Sequence, residues 1–332
     1  MSRLIAPAAA AALMIFALTG CSDTSTAATQ NSTSPSAQSG EWPRQIQHDA
    51  GTTELEAEPL RIVSTSPSIT GSLLAIDAPL IGTGATMVTS MTDDKGFFTQ
   101  WAEEADDANV QVAYQNLELD LDAVDALEPD LIIGSVNGGD SVLDSYDQLS
   151  EIAPTILLDY GTETWQQLTT TLAEATGRES EASAVLQDYD NFVAEQAENI
   201  SLPAQPVTAL AYLGADGVWA YDESSPQAAL LESLGFDYLA VPGELSQQQA
   251  ATNGVDILSS ENVPAALADT HTAFLVGTGT AAPIDAFSSD ALLANLPSVE
   301  NHRVYDLGST SFRLDYYSAK DTVSGLVETF GK

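Results

Sequence analysis

The stretch that most constrains this chain runs from Arg178 to Ile200. Its apolar residues, Ala182, Val185, Leu186, Tyr189, Phe192, Val193 and Ala197, recur at steps of three and four, which is one face of an α-helix. Glu179, Glu181, Asp188, Asp190 and Glu195 take the opposite face, no Pro or Gly interrupts, and Pro203 and Pro206 close it off. With a rise of 1.5 Å per residue the helix is roughly 35 Å long, enough to cross a small domain. On each side lies a block of short strands alternating with helices. Between two such blocks, a helix of this length is a strut that holds two lobes at a fixed spacing. Its spacing alone also fits an ordinary surface helix inside one domain.

The first block opens with a strand at Arg61-Ile62-Val63-Ser64, and Ser66-Pro67-Ser68 turns it into a helix from Ile69 to Ile76. Strands follow at Leu80 to Gly84 and Val110 to Tyr114. A short helix at Leu121 to Leu127 is broken by Pro129 ahead of the buried strand Leu131-Ile132-Ile133-Gly134. A helix at Val142 to Leu149 leads to a strand at Thr155 to Leu158. Thr164 and Gln167 then form a capping box for a helix that Gly177 stops. In the second block, strands at Val207 to Leu213 and Val218 to Tyr221 precede a helix opened by Ser225-Pro226 and closed by Leu234-Gly235. Phe274-Leu275-Val276 is a buried strand, Val304-Tyr305 another, and Ser318 to Phe330 a closing helix. This alternation predicts an α/β chain of two Rossmann-like lobes with mainly parallel sheets, joined by one long helix. The expected boundaries are 58–162 for the N-terminal lobe, 163–202 for a helical connector and 203–332 for the C-terminal lobe.

Ahead of the lobes, Arg3 and the apolar run Leu4 to Leu18 read as an export leader over residues 1–20, too short for an ordinary membrane span. The run ends Leu18-Thr19-Gly20-Cys21, which looks like the lipobox of bacterial lipoproteins, with Cys21 as the lipidated residue. That modification holds the chain at the outer face of the cell membrane. Residues 21–57 are polar and read as a flexible tether, with Trp42 and Ile46 as docking points. Cys21 is the one cysteine, so a disulfide within the chain is excluded.

Nine Lys and Arg against 48 Asp and Glu leave a formal charge of −39, a surface that repels nucleic acid and anionic lipid. The chain has no Gly-x-Ser-x-Gly elbow and no phosphate loop. Three histidines, His48, His271 and His302, are too few and too scattered for a zinc site. Carboxylate pairs carry no information in so acidic a chain. These absences leave binding as the expectation, with no catalytic residue and no cofactor. A cleft between two α/β lobes is a common place for a small ligand, and aromatics and arginines are its natural contacts. Arginine is scarce. Arg313, in Ser311-Phe312-Arg313-Leu314-Asp315-Tyr316-Tyr317, occupies a loop between a strand and the last helix, where function concentrates. Trp219, Tyr221, Tyr114, Trp101 and Tyr316 are further candidates, with core packing as the alternative role for each.

Taken in order, Arg61 to Ser68, Leu121 to Ile133, Ile152-Ala153-Pro154-Thr155, Leu230 to Phe236 and Val299 to Leu307 with the Ser311-Phe312-Arg313 loop resemble a known family. It is that of the substrate-binding lipoproteins of ABC importers for ferric siderophores, haem and cobalamin. The resemblance implies limited lobe closure on a ligand, and delivery to an ABC permease and its ATPase by a monomer. It also implies one acidic docking residue per lobe, which by motif position are Asp122 and Glu261. Asp122 is one methylene shorter than the family's usual Glu, and Gly71 stands where a Glu commonly follows. The Arg313 loop looks most like the ferric siderophore members, which makes iron cargo rather than cofactor. Haem or cobalamin binding, a secreted metal-binding enzyme and an adhesion lipoprotein are the other readings. A neutral or cationic hydroxamate complex suits the overall acidic field better than an anionic catecholate, unless Arg313 makes a local positive pocket.

Overall fold

Runs of aliphatic and β-branched residues, each ended by a turn residue, build two sheets around which short helices pack. A computed structural model of the chain describes residues 41–247, 254–280 and 282–332. The export leader and Cys21 lie outside the described residues. The first part comprises β1 (Arg44–His48), β2 (Gly51–Leu55), β3 (Ile62–Ser64), α1 (Pro67–Ala75), β4 (Leu80–Gly84), α2 (Ala102–Asp107), β5 (Gln111–Tyr114), α3 (Leu121–Ala126), β6 (Leu131–Ser135), α4 (Tyr146–Ile152), β7 (Thr155–Leu158) and α5 (Trp165–Thr176). After α6 (Glu179–Asn199) come β8 (Val207–Tyr212), β9 (Val218–Tyr221), α7 (Pro226–Ser233), β10 (Val255–Leu258), α8 (Val263–Ala266), β11 (Thr272–Leu275), α9 (Ile284–Ser289), α10 (Pro297–Glu300), β12 (Val304–Asp306) and α11 (Tyr316–Phe330).

The first sheet has the order β5-β4-β3-β6-β7 with every pair parallel. Its strands are buried on both faces, which is why β3, β6 and β7 read as unbroken apolar runs. The second sheet has the order β10-β9-β8-β11-β12 among the described residues. Its β8–β11 and β11–β12 pairs are parallel, but β9 and β10 run antiparallel, so the pattern of the first block is not simply repeated. The five-residue turn between β8 and β9 is too short for a crossover and forces that reversal. The expected two-lobe α/β architecture is otherwise what the chain adopts.

The long helix spans both lobes as α6. Its Ala182 joins the core under the first sheet, while Tyr189 and Val193 join the core of the second. Within the expected connector 163–202, α5 also touches both cores, with Trp165 in the second lobe's. Leu168, Leu172 and Ala173 of α5 sit in the first lobe's core.

Residues 44–55, expected as part of the tether, are instead β1 and β2, paired as an antiparallel hairpin. Its inward face is Arg44, Ile46 and Leu55, and alternate residues are exposed. With a cation at one inward position, the apolar alternation of a strand is masked. Arg44 Nη1 donates to Glu179 Oε1 and to the Glu174 carbonyl, each at 2.6 Å, and the guanidinium lies over Trp42. The hairpin is tied to β7 by Asp49 N–H to the Leu157 carbonyl (2.9 Å) and by Thr53 Oγ1 donating to the Thr155 carbonyl (2.7 Å). Among the described residues no helix is long and apolar enough to cross a membrane.

Candidate functional site between the lobes

In an open parallel sheet the loops leave a crevice at the carboxyl ends of the strands, where the strand order reverses. In the first lobe that point lies between β3 and β6. The loop after β3 carries Ser66 and Ser68, and the loop after β6 carries Asp140. Pro67 starts α1 at its first turn, yet the Ser66 side chain does not cap the helix. Its hydroxyl donates instead to Asp140 Oδ2 at 2.5 Å, and the Ser68 N–H reaches the same oxygen at 3.4 Å. Asp140 Oδ1 accepts from the Tyr160 hydroxyl at 2.8 Å. Asp140 is therefore a buried carboxylate that orients three groups on two other segments, the one after β3 and the one after β7. Burial, then the Asp140 charge, push the Tyr160 hydroxyl above its ordinary pKa, and Arg313 opposes both.

Arg313 comes from the second lobe. It follows β12 and precedes α11, and its side chain crosses to the first lobe, where Nη1 donates to Ser68 Oγ at 2.9 Å. Its guanidinium carbon lies 5.8 Å from the Phe98 ring centre, 5.5 Å from Tyr160 and 5.8 Å from Phe312. Cation–π attraction operates at such distances. Trp219 stands behind Phe312, with ring centres 6.2 Å apart. Where Met91, Phe98, Gln100, Gly279, Phe312 and Arg313 meet, the remaining cavity is about 10 Å³, room for about one water. The lobes are pressed together at a second point. Gly279 has φ +80°, and a Cβ there would stand 2.4 Å from the Met91 nitrogen.

A third contact between the lobes is Asp315, the N-cap of α11. Its Oδ1 accepts from the Ser318 N–H at 2.9 Å, and its Oδ2 from Gln100 Nε2 of the first lobe at 3.4 Å. Burial raises its pKa from 3.8 to about 6, against these hydrogen bonds, which lower it. Gly71 of α1 faces it, and a Cβ at Gly71 would stand 2.5 Å from Asp315 Oδ2.

The sequence candidates divide accordingly. Arg313 lies between the lobes, while Trp219 packs behind Phe312 against the second lobe's core. Trp101 does not line the cleft: at 1 % exposure it is core, and it backs Phe98 with ring centres 6.1 Å apart. Tyr114 is also buried; its hydroxyl donates to the Thr65 carbonyl at 2.8 Å, beneath the Ser66 loop. Tyr221 is buried in the second core, its carbonyl accepting from the Tyr238 hydroxyl. Tyr316 sits at the junction of α6 and α11, where its hydroxyl donates to Asp188 Oδ2 at 2.8 Å, away from the Arg313 cluster. In all four, an aromatic ring near the end of a strand or helix is taken up by packing. Asp122, in the first turn of α3, and Glu261, just ahead of α8, are both exposed. Ser68, Phe98, Asp140, Tyr160 and Phe312 are the residues that sequence reasoning did not single out. The available signal was positional: Ser68, Asp140 and Tyr160 each follow the carboxyl end of a buried parallel strand.

Comparison with known proteins bears on the family and the fold. Residues 62–310, from β3 into the Arg313 loop, match the periplasmic binding protein family. The ferric enterobactin-binding periplasmic protein FepB of Escherichia coli O6:H1 is 44% identical over 299 residues, covering 88% of this chain and 92% of that protein. The probable siderophore-binding lipoprotein YfiY of Bacillus subtilis is 26% identical over 272 residues, covering 80% of each. The crystal structure of holo-ViuP superposes with a TM-score of 0.80 at 32% identity, covering 88% of this chain and 97% of that one. With two α/β lobes closing on a shared cleft, and a family match over most of its length, this chain belongs to the periplasmic binding protein family.

Proposed function

We propose that this protein captures a ferric siderophore in the cleft between its lobes and delivers it to an ABC permease and its ATPase, without catalysis of its own. The observation that carries the reading is Arg313, a cation walled by Phe98, Tyr160 and Phe312 and contributed across the lobe boundary. A forked cation between aromatic faces suits the aromatic, oxygen-rich periphery of a siderophore. The relatives named above support the same reading. Iron enters as cargo inside the ligand, and no resident cofactor is invoked. The lobes part to admit the complex, since the cavity at Arg313 is about 10 Å³. The protein acts as a monomer, tethered through lipid on Cys21 at the outer face of the membrane, with Asp122 and Glu261 meeting basic pockets of the permease.

The test is quenching of tryptophan fluorescence, to which Trp219 beside Phe312 contributes. The protein is titrated with ferric enterobactin, a ferric hydroxamate, haem and cobalamin. Saturable quenching by a ferric siderophore is expected, weakened at least about tenfold by Arg313→Ala. Saturation by haem or cobalamin instead moves the ligand within the family. No response to any of the four, with no change in melting temperature, overturns the reading.

A further inference from the structure

The segment that presents Arg313 has no regular secondary structure between β12 and α11, so its position depends on side chains that hold its backbone. Within the loop, the Ser311 N–H and hydroxyl both donate to the Gly308 carbonyl, at 3.2 and 2.7 Å. The Gly277 N–H donates to Ser311 Oγ at 3.1 Å, and Ser318 Oγ donates to the Arg313 carbonyl at 2.9 Å. One further tie comes from a separate element. Gln227, in the first turn of α7, donates from Nε2 to the carbonyls of both Ser311 (2.9 Å) and Phe312 (3.2 Å). Two adjacent acceptors fix the orientation of its amide, because turning it over would set Oε1 against two carbonyl oxygens.

Gln227 is 2 % exposed, and its Oε1 is buried with no hydrogen-bond partner among the described residues. A buried unpaired oxygen costs stability, and an apolar side chain of the same length would avoid it. Core packing therefore does not account for a glutamine here. What the amide adds is a hold on the two peptide units directly ahead of Arg313. Those units also carry the Phe312 ring, which lies tilted by 32° against Trp219 and 5.8 Å from the Arg313 guanidinium carbon. We propose that Gln227 is a positioning residue for ligand binding, fixing the Ser311–Phe312 backbone so that Arg313 projects across the cleft. It touches no ligand itself and acts through Arg313. This inference rests on the ligand-binding reading above.

Gln227→Met keeps the length and removes the donor, and Gln227→Ala is the second variant in case methionine packs badly. In the ligand-free protein, hydrogen exchange at the amides of residues 311–314 is expected to speed up about tenfold or more, with β8 and β11 unchanged. The second measurement is a double-mutant cycle with Arg313→Ala, read as the Kd for ferric enterobactin or whichever ferric siderophore the parent protein binds. The Gln227 substitution is expected to weaken binding about tenfold with Arg313 present and by less than about twofold with Arg313→Ala. Equal penalties in both backgrounds, or unchanged exchange in the 311–314 loop, overturn the inference while leaving the function intact. Absence of binding by the parent protein sinks the functional reading and the positioning role with it.

Discussion

Asp315→Asn isolates the cost of burying one carboxylate at the contact between the lobes. Asp315 is enclosed by the first turn of α11, Gln100 and Trp101 of the first lobe, and Gly71 of α1. Desolvation lifts its pKa from 3.8 to about 6. A difference of about two pKa units corresponds to roughly 3 kcal/mol, an order-of-magnitude figure that needs little discount for solvent at a buried group. The sign follows from proton binding. The folded state holds the Asp315 proton more tightly than the unfolded state does. The stability gained from that proton is complete below about pH 4 and is lost as pH rises through about 6. Asparagine does not titrate, and its Oδ1 still accepts from the Ser318 N–H, so the helix cap survives. The assay is urea unfolding of both proteins from about pH 4 to about pH 7.5. The stability of Asp315→Asn relative to wild type is expected to rise by about 2.5 kcal/mol across that range, whatever constant offset the substitution adds. Every other titrating group is common to the two proteins and cancels. A difference that stays flat with pH refutes the claim that Asp315 is a desolvated carboxylate.

Gly71→Ala in an ordinary helix interior is stabilising by up to about 1 kcal/mol. Here the new Cβ would meet Asp315 Oδ2 at 2.5 Å and Trp101 Cδ1 at 2.8 Å, so a loss of about 1–3 kcal/mol in thermal unfolding is expected instead. Arg44→Ala leaves Glu179 and the Glu174 carbonyl without their partner. Because the Glu179 side chain keeps 30% of its exposure, the cost is nearer 2 kcal/mol than that of a wholly buried pair. Hydrogen exchange of the β1–β2 amides rises with it. Charge reversal at the proposed docking positions, Asp122→Lys with Glu261→Lys, is expected to lower ferric siderophore uptake by about tenfold while leaving the Kd of the isolated protein unchanged. Uptake at the wild-type rate removes both residues from the docking surface.

The strands and helices were largely legible because their signals are local. Leu131-Ile132-Ile133 announces a strand buried on both faces, Thr164 with Gln167 announces a cap, and Ser225-Pro226 announces a helix start. The β1–β2 hairpin was not legible, since its inward face includes Arg44, whose charge is neutralised by Glu179, 135 positions away. The site was legible only in part. Arg313 stood out because arginine is scarce and the loop follows a strand. Ser68, Asp140 and Tyr160 did not, because each is an unremarkable residue until three loops converge.

The amino-acid sequence by itself determined the α/β alternation, the long helix that joins the lobes and the acidic surface. These follow from periodicity, caps and composition, which act over a few residues or over the whole chain at once. The tertiary structure decided which aromatics line the space between the lobes and which are core, separating Phe98 and Phe312 from Trp101, Tyr114 and Tyr221. It also decided that the second sheet turns antiparallel at β9, and that Gly71 leaves room for the Asp315 carboxylate. Those outcomes depend on contacts between residues far apart in the chain, which no local pattern encodes.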